Sequence, residues 1–433
     1  MTAANGYVIY NSSTGSDSNA SGLGPASAVV GSSAELDGTS TVDMSYDGMD
    51  LSSISAGDLL FCETSSGRQF SVIASVDTGN ETITTDDVWP TESGVSWAVG
   101  GKRATFEGSN SIAQETTKPS TSLNHAFEDD QTITTQIYKG GATFRSADPS
   151  NRITLTLANT GSYQFRGGGS SFFDMNLDTT TGTQFVRGDT SVQHASVAFY
   201  NCVVGDPVNQ FVTSGSASSR TASITAFNTV FRNFSSSVFY GVHPNIHNCW
   251  FLDNNIVSQH GMGGTTNIYN SILKGNNWIA NGRRASGCKL YGCTIIGKGT
   301  AASPAGSICT SEANYSARFY YCKFAQLSGG SSPWYGSTAP RQFYQCFGYN
   351  LTNGWVNSQP NVSQLDSPIL TVDPFVDLAN GDLRINDLVG GGNTIRNKTF
   401  QLTDAVGATN PYTQTGLEGS GNGSGSTFHP LAQ

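Results

Sequence analysis

Charged residues are scarce in this chain. Asp, Glu, Lys and Arg occupy 12% of its 433 positions, against roughly 25% in an ordinary soluble domain. The net charge is −10, and the densest basic spot is the pair Arg283 and Arg284. Because a protein that binds nucleic acid needs concentrated cations to neutralise phosphates, the sequence predicts no nucleic-acid partner.

Long hydrophobic runs and targeting signals are also missing. No window approaches the roughly 18 apolar residues that suggest a membrane-spanning helix, so we expect no membrane insertion. The opening segment, MTAANGYVIYNSSTGSDSN, has no basic region and no apolar run after it, so no signal peptide is visible. A polar, weakly charged surface without an export signal fits a virion component released by lysis, or an extracellular surface protein whose leader was removed.

Cysteine and histidine residues at the spacing of metal ligands are absent as well. None of the eight cysteines shows C-x-x-C spacing, and His243 and His247 are expected to point apart in a strand, so we predict no metal site.

The 23 Phe, 16 Tyr and 6 Trp exclude a disordered chain, which would lack apolar residues. The 50 glycines, together with β-branched and aromatic residues between Gly, Asn and Ser turns, predict an all-β fold.

One short pattern occurs seven times between residues 198 and 348. Successive copies are 20 to 29 residues apart. A period that varies around the low twenties is typical of a β-solenoid whose loops differ in length. The copies read AFYNCVV, TAFNTVF, NIHNCWF, NIYNSIL, KLYGCTI, RFYYCKF and QFYQCFG, and they align on Cys202, Thr229, Cys249, Ser271, Cys293, Cys322 and Cys346.

Each column of this alignment has a structural interpretation. The residues three before and two after the anchor are apolar, which predicts that they point into the solenoid by the two-residue period of a strand. The residue just before the anchor is mostly Asn or Gly, which tolerate positive φ, and this predicts a tight bend. We interpret the anchor cysteines as stacked, buried free thiols, with a disulfide or metal ladder as the alternative.

The position two before each anchor is aromatic or histidine and is expected to face outward. Either these rings stack on one another and stabilise the solenoid, or they form a platform for sugar rings or a neighbouring subunit. Tyrosine suits both roles, because it has an apolar face and a polar tip. This aromatic column is Tyr200, Phe227, His247, Tyr269, Tyr291, Tyr320 and Tyr344. Its tyrosines and its histidine are the candidate binding residues.

Both ends of the chain resemble the pectate-lyase-like superfamily of right-handed parallel β-helices. Residues 373–386, DPFVDLANGDLRIN, resemble its last coil, and residues 6–29 resemble its entry strand. The segment that ends in GGKRAT, at residues 100–105, resembles phage virion proteins. The resemblance implies a right-handed, single-stranded parallel β-helix, a fold shared by lyases, hydrolases, epimerases, adhesins and phage tailspikes.

The predicted organisation has four parts. Residues 1–29 form the entry strand. Residues 30–105 form a small antiparallel β-meander or barrel insertion, followed by a capping helix that covers the open end of the solenoid. Residues 106–400 form the parallel β-helix, and residues 401–433 form a flexible Gly/Ser-rich tail.

The acid and base groups of a β-helix hydrolase are not visible. The polygalacturonase motifs Asn-Thr-Asp and Arg-Ile-Lys are absent, and His260 stands in Gln-His-Gly rather than Gly-His-Gly. Pectate lyases use Asp ligands for Ca²⁺ and an Arg or Lys base. The catalytic candidates are therefore Asp253, Arg283 and Arg284, and Ca²⁺ is the cofactor that such a site would hold. Without catalysis, no cofactor is expected.

These features favour a non-enzymatic virion structural or host-recognition protein of the tailspike, tail-fibre or head-decoration type. It would present a β-helix surface to a host-surface glycan or to other virion subunits, and a homotrimer is common among similar spikes. Two alternatives stay open: a polysaccharide lyase or hydrolase of the same fold, acting as a depolymerase, and a bacterial surface adhesin. The expected location is a virion or an extracellular surface.

Overall fold

The structure is a computed structural model, and its chain divides into two compact units, Met1–Thr181 and Gly182–Gln433. Both are built mainly from β-strands, which confirms the predicted all-β class. The residues that the structure describes are 8–16, 28–101, 124–134, 143–158, 163–166, 170–179, 184–188, 196–205, 212–214, 223–240, 242–260, 266–276, 278–282, 287–297, 309–310, 316–330, 334–335, 341–351, 355 and 362–395.

The strands of the first unit follow runs of β-branched and aromatic residues, which fit a pleated, half-buried surface. They are β1 (Val8–Asn11), β2 (Val29–Asp37), β3 (Thr41–Asp43), β4 (Leu59–Thr64), β5 (Gly67–Asp77), β6 (Thr82–Thr85), β7 (Thr91–Val99), β8 (Asn124–Phe127), β9 (Gln131–Ile133), β10 (Thr143–Ser146), β11 (Thr154–Leu157), β12 (Tyr163–Arg166), β13 (Ser170–Phe173) and β14 (Asn176–Thr179).

The predicted β insertion is confirmed, and it is a closed barrel. Strands β2 to β7 close in the order β2-β3-β6-β5-β4-β7, around a buried core that includes Leu60 and Ile83. A Cβ atom at Gly31 would collide with the Asp47 carboxylate and the Trp97 ring, so glycine is required there. The predicted capping helix falls largely on residues 102–111, which lie outside the described residues.

Other strands of the first unit pair in parallel. Strands β1, β8, β10 and β13 form one sheet, and β9, β11 and β14 form another. His125, Phe144 and Phe172 stack in the interior, with successive ring centroids 5.3 and 4.9 Å apart. Burial lowers the pKa of His125 to about 3. The imidazole is therefore neutral near pH 7 and serves as a core aromatic residue.

The second unit repeats short strands separated by bends. They are β15 (Gln184–Gly188), β16 (Ser196–Tyr200), β17 (Val203–Gly205), β18 (Val212–Ser214), β19 (Ser223–Phe227), β20 (Val230–Arg232), β21 (Ser237–Tyr240), β22 (His243–His247), β23 (Trp250–Leu252), β24 (Ile256–His260), β25 (Thr266–Tyr269), β26 (Ile272–Lys274), β27 (Trp278–Gly282), β28 (Gly287–Tyr291), β29 (Thr294–Gly297), β30 (Cys309–Thr310), β31 (Ser316–Tyr320), β32 (Lys323–Gly330), β33 (Trp334–Tyr335), β34 (Arg341–Tyr344), β35 (Phe347–Leu351), β36 (Val362–Leu365), β37 (Ile369–Leu370), β38 (Phe375–Asp377) and β39 (Asp382–Ile385).

Most of these strands form three parallel sheets, and successive coils add one strand to each of the first two. The first sheet contains β16, β19, β22, β25, β28, β31, β34 and β36. The second contains β17, β20, β23, β26, β29, β32, β35 and β37, and the third contains β15, β18, β21, β24 and β27. Inward residues pair from coil to coil, as Ile246 does with Ile268 and Ile268 with Leu290. The predicted parallel solenoid is confirmed.

The bend column has the predicted left-handed backbone. Its φ values lie between +46° and +63°. Each bend N–H donates to a carbonyl of the next coil at 2.8–3.2 Å. Asp366, with φ +48°, extends the column to an eighth coil that the repeat alignment missed. The predicted members are Asn201, Asn228, Asn248, Asn270, Gly292, Tyr321 and Gln345.

Gln345 is strained in this column, because its φ is +50° and left-handed backbone costs most L-residues about 1–2 kcal/mol. We expect Gln345→Gly to raise the free energy of unfolding by about 1 kcal/mol, measured from urea denaturation. Gln342 lies within β34, so Gln342→Gly is the matched control and should lower stability by about 0.5–1 kcal/mol. Equal destabilisation by the two variants would contradict this assignment of strain.

The anchor side chains form hydrogen bonds between coils, which explains why small polar residues stand there. Ser271 Oγ donates to Tyr269 O at 2.7 Å and accepts the Cys249 N–H at 3.0 Å. Burial raises the pKa of Cys249 to about 12, so this thiol stays protonated. The predicted buried free thiols are confirmed at Cys249, Cys293, Cys322 and Cys346.

Residues 373–386 do not form a last coil, which corrects the interpretation drawn from the resemblance. They fold into an antiparallel hairpin of β38 and β39, and residues 392–395 after it are helical. This C-terminal hairpin packs on the outward side of the second sheet, because the outward residues there are apolar and gain from burial. One buried cluster joins the two parts: Ile272, Ile296, Ala325, Phe347, Leu370, Phe375, Leu378, Leu383, Ile385 and Ile395.

Candidate functional site

The aromatic column forms one continuous stack on the outward side of the first sheet. Strand register places its members directly next to one another, as Tyr269 beside Tyr291 and Tyr291 beside Tyr320. Successive ring centroids lie 4.6–5.5 Å apart, and the ring planes are inclined by 4–13°. The stack runs through Tyr200, Phe227, His247, Tyr269, Tyr291, Tyr320 and Tyr344.

Stacking determines which parts of these rings can meet a ligand. Each interior ring has a neighbour on both faces, so a sugar ring cannot lie flat on it. The rings are half-buried, which leaves ring edges and phenol hydroxyls for contact. The structure therefore shows the first of the two alternatives, in which the rings stack on one another. Binding stays a prediction, through edges and hydroxyls rather than ring faces, for Tyr200, His247, Tyr269, Tyr291, Tyr320 and Tyr344.

The phenol of Tyr291 stays protonated at neutral pH beside a cation. Burial raises the pKa of Tyr291, and the neighbouring Tyr320 and Tyr269 act in the same direction. The Arg318 guanidinium acts in the opposite direction, so its charge lies within electrostatic reach of the Tyr291 hydroxyl. The stack therefore offers a neutral hydroxyl donor on the strand pair that also carries Lys289 and Arg318.

A second outward column runs beside the stack, and the repeat alignment did not predict it. Strand register places Asn245 beside Asn267, and Lys289 beside Arg318. In the sequence, the members of this column stand four residues before each anchor residue. Along the solenoid this polar column changes from small residues to amides and then to two cations, and it ends with an amide and a serine. Its members are Ala198, Thr225, Asn245, Asn267, Lys289, Arg318, Gln342 and Ser363.

Asp253, a catalytic candidate, lies at a second bend between the second and third sheets. Its side chain is exposed, and its φ is +54°. The neighbouring coils place Asn233 and Gly275 at the same bend, with φ +59° and +70°, and these residue types tolerate positive φ. Asp253 therefore occupies a bend position that recurs in the neighbouring coils. Arg283 and Arg284 lie outside the described residues, so their grouping with Asp253 around Ca²⁺ stays a prediction.

Two buried asparagines hold this second bend, and the repeat alignment missed them. Asn254 Nδ2 donates to Phe231 O at 3.0 Å and to Asn276 Oδ1 at 2.9 Å. Asn254 Oδ1 accepts the Phe234 N–H at 3.1 Å. The signal that could have found this ladder is the recurrence of Asn-Asn 22 residues apart, which equals the spacing of anchors Cys249 and Ser271.

The expectation that His243 and His247 point apart was wrong. Both lie on the outward side of β22, because residues i and i+4 of a strand face the same way, roughly 13 Å apart. Burial lowers the pKa of both imidazoles. Among the described residues, no group of three or more His, Cys, Asp or Glu is placed to hold a metal ion. Within the same ranges, no helix has the length and apolar composition needed to cross a membrane.

The parallel sheets, coil register and two bend columns define the second unit as a parallel β-solenoid. No family model and no curated protein sequence matches the chain. The tailspike protein gp49 from Pseudomonas phage LKA1 is 12% identical, with a TM-score of 0.21, over 81% of this chain and 62% of that one. The Gp54 tailspike of Acinetobacter baumannii bacteriophage AP22, solved with A. baumannii capsular saccharide, is 11% identical, with a TM-score of 0.18, over 85% and 67%. At these values no function is transferred.

Proposed function

We propose that this protein is a host-recognition protein of a phage virion, of the tailspike type, that binds a surface polysaccharide. The binding surface is the outward side of the first sheet in the second unit. The observation that carries the proposal is that the aromatic stack and the polar column run side by side there. Together they present rows of hydroxyl and amide groups that repeat at the strand spacing of roughly 4.8 Å. Repeated donors and acceptors suit a ligand made of repeated hydroxyl-bearing units.

The virion location is supported by the resemblance of the N-terminal segment to phage virion proteins. The weakly charged surface, rich in Ser, Thr and Asn, suits a protein outside the cell. Other virion subunits are the second class of partner, and a homotrimer is the assembly that we propose. A bacterial adhesin would use the same surface, and electron microscopy of the source particle or cell distinguishes the two.

A depolymerase is the remaining alternative, and it requires an acid and a base beside the bound polymer. Asp253 is the described carboxylate among the catalytic candidates, and it lies at the second bend, away from the first sheet. The proposal is therefore binding without cleavage. Incubation of the protein with a panel of bacterial exopolysaccharides tests this, and release of oligosaccharides would place the depolymerase first.

The amides of the polar column provide the direct test of polysaccharide binding. We expect the double variant Asn245→Ala, Asn267→Ala to bind its best polysaccharide about 10- to 30-fold more weakly, because two hydrogen bonds of about 1 kcal/mol each are lost. Biolayer interferometry against purified bacterial capsular polysaccharides measures the affinity. The matched control is Asn80→Ala, Asn151→Ala, at exposed positions of the first unit, and it should bind like the wild type. Equal affinities for the two variants would refute the proposed surface.

A further inference from the structure

The outward side of the first sheet differs in charge from the rest of the chain. The chain has a net charge of −10, yet the described outward positions of this sheet in the second unit contain no Asp or Glu. Lys289 and Arg318 stand side by side there, because β28 and β31 pair in register. Neither forms an ion pair with a carboxylate of the described residues. A negatively charged protein therefore keeps a cationic site on the surface that is proposed to bind.

We propose that the polysaccharide bound on this side is anionic, and that its carboxylates bind Lys289 and Arg318. The inference rests on the proposed function, because it names the ligand class for the same surface. The planar Arg guanidinium can bind a carboxylate with two parallel hydrogen bonds, and the Lys ammonium adds a point charge. Tyr291, two residues after Lys289 on the same strand, supplies a neutral donor for a sugar hydroxyl.

The neighbouring coils extend this site along the polymer. In the polar column, Asn267 precedes Lys289, and Gln342 follows Arg318. An amide offers both donors and an acceptor, so it can bind the uncharged hydroxyls on either side of an acidic sugar. Two cations flanked by amides therefore fit a polymer in which acidic sugars stand among neutral hydroxyl groups.

The geometry disfavours two other polyanions. Single-stranded nucleic acids bind by stacking bases on exposed aromatic faces along a strongly cationic groove. Here the interior ring faces are covered, and Lys289 and Arg318 are the Lys and Arg residues at the described outward positions of this sheet. The carboxylates of an acidic polypeptide could bind Lys289 and Arg318, but such binding does not require the rows of phenol and amide groups. Poly-glutamate is therefore a competing probe in the test.

The test compares anionic and neutral polymers on the intact chain. The probes are alginate and polygalacturonate, which carry uronic acids, and dextran and pullulan, which are neutral. We expect the uronates to bind at least about tenfold more tightly than dextran. Raising the salt concentration from about 0.05 to 0.5 M should weaken uronate binding, because salt screens exposed charges.

The variant Lys289→Gln, Arg318→Gln should lose at least about tenfold in uronate affinity and keep its affinity for dextran. The control Arg232→Gln, Lys274→Gln removes the same charge from the second sheet and should keep both. The exchange Lys289→Arg, Arg318→Lys retains both charges and should keep most uronate binding, which separates loss of charge from a folding defect.

The outcomes separate this inference from the proposed function. If dextran binds as tightly as the uronates and depends on Asn245 and Asn267 but not on the two cations, the polysaccharide surface stands and the anionic class is wrong. If no polymer binds, or none responds to the Asn variants, both proposals fail. If poly-glutamate binds as tightly as alginate, the ligand class is overturned in favour of an acidic polypeptide.

Discussion

Asn254→Ala is expected to lower the free energy of unfolding of the second unit by about 2–6 kcal/mol. The side chain is fully buried. Its amide forms hydrogen bonds with Phe231 O, the Phe234 N–H and Asn276 Oδ1. Alanine leaves Phe231 O and the Phe234 N–H without this partner, whereas Asn276 Oδ1 still accepts the backbone N–H of residue 254. Each buried polar group that loses its partner costs about 1–3 kcal/mol. Chemical denaturation followed by tryptophan fluorescence measures the loss.

Asn245→Ala is the matched control for this loss. Asn245 is exposed in β22, and its replacement should change stability by no more than about 0.5 kcal/mol. A loss below about 1 kcal/mol for Asn254→Ala would show that the asparagine ladder does not hold the second bend. A similar loss in both variants would show that the method does not separate buried from exposed amides.

The double variant Tyr269→Ser, Tyr291→Ser should lower the free energy of unfolding by about 1.5–4.5 kcal/mol. It removes three consecutive ring contacts, from His247 to Tyr269, Tyr269 to Tyr291 and Tyr291 to Tyr320, whose centroids lie 4.6–4.9 Å apart. Each aromatic pair contributes about 0.5–1.5 kcal/mol. The midpoints of thermal and urea unfolding provide the measurement.

Tyr269→Phe, Tyr291→Phe is the control, because it keeps the rings and removes only the hydroxyls. We expect its unfolding midpoint to match the wild type, while polysaccharide affinity falls if the hydroxyls bind. An unchanged unfolding midpoint in the serine variant would contradict the prediction that ring stacking stabilises the solenoid. Equal polysaccharide affinity in the phenylalanine variant and the wild type would remove these two tyrosines from the binding surface.

Sequence reasoning recovered the columns whose residue type follows directly from backbone or burial. The bend column was predicted from its Asn and Gly members, and the alignment then placed Tyr321 and Gln345 at positive φ although neither favours it. The inward columns followed from the two-residue period of a strand. Local rules were sufficient here, because each coil repeats the same conformation at the same position.

The missed features depend on contacts that one repeat column does not report. The eighth coil, which contains Asp366, has Leu365 in place of a ring and Gln364 in place of an apolar inward residue, so the pattern no longer matches. The C-terminal hairpin was read as a coil because its alternating strand looks the same whether it continues a parallel sheet or folds across one. What distinguishes the two is the apolar outward side of the second sheet.

The candidate site was recovered only in part, for a physical reason. A ring column on the outward side was predicted, but stacking is a distance between coils, and a sequence does not contain that distance. The polar column beside it varies from Ala198 to Arg318, so no single residue type marks it. The cationic site in this column is recognised only from the strand register, which places Lys289 next to Arg318.

The C-terminal hairpin also has a consequence for biosynthesis. A ribosome makes the coils before it makes residues 373–395, so the outward side of the second sheet is complete before its cover exists. During that interval an apolar strip that includes Ile272, Ile296 and Phe347 faces water, and such transient surfaces favour aggregation and recruit chaperones. Solubility of the nascent solenoid is thus coupled to the completion of translation, and a chain interrupted before Asp373 keeps that strip open.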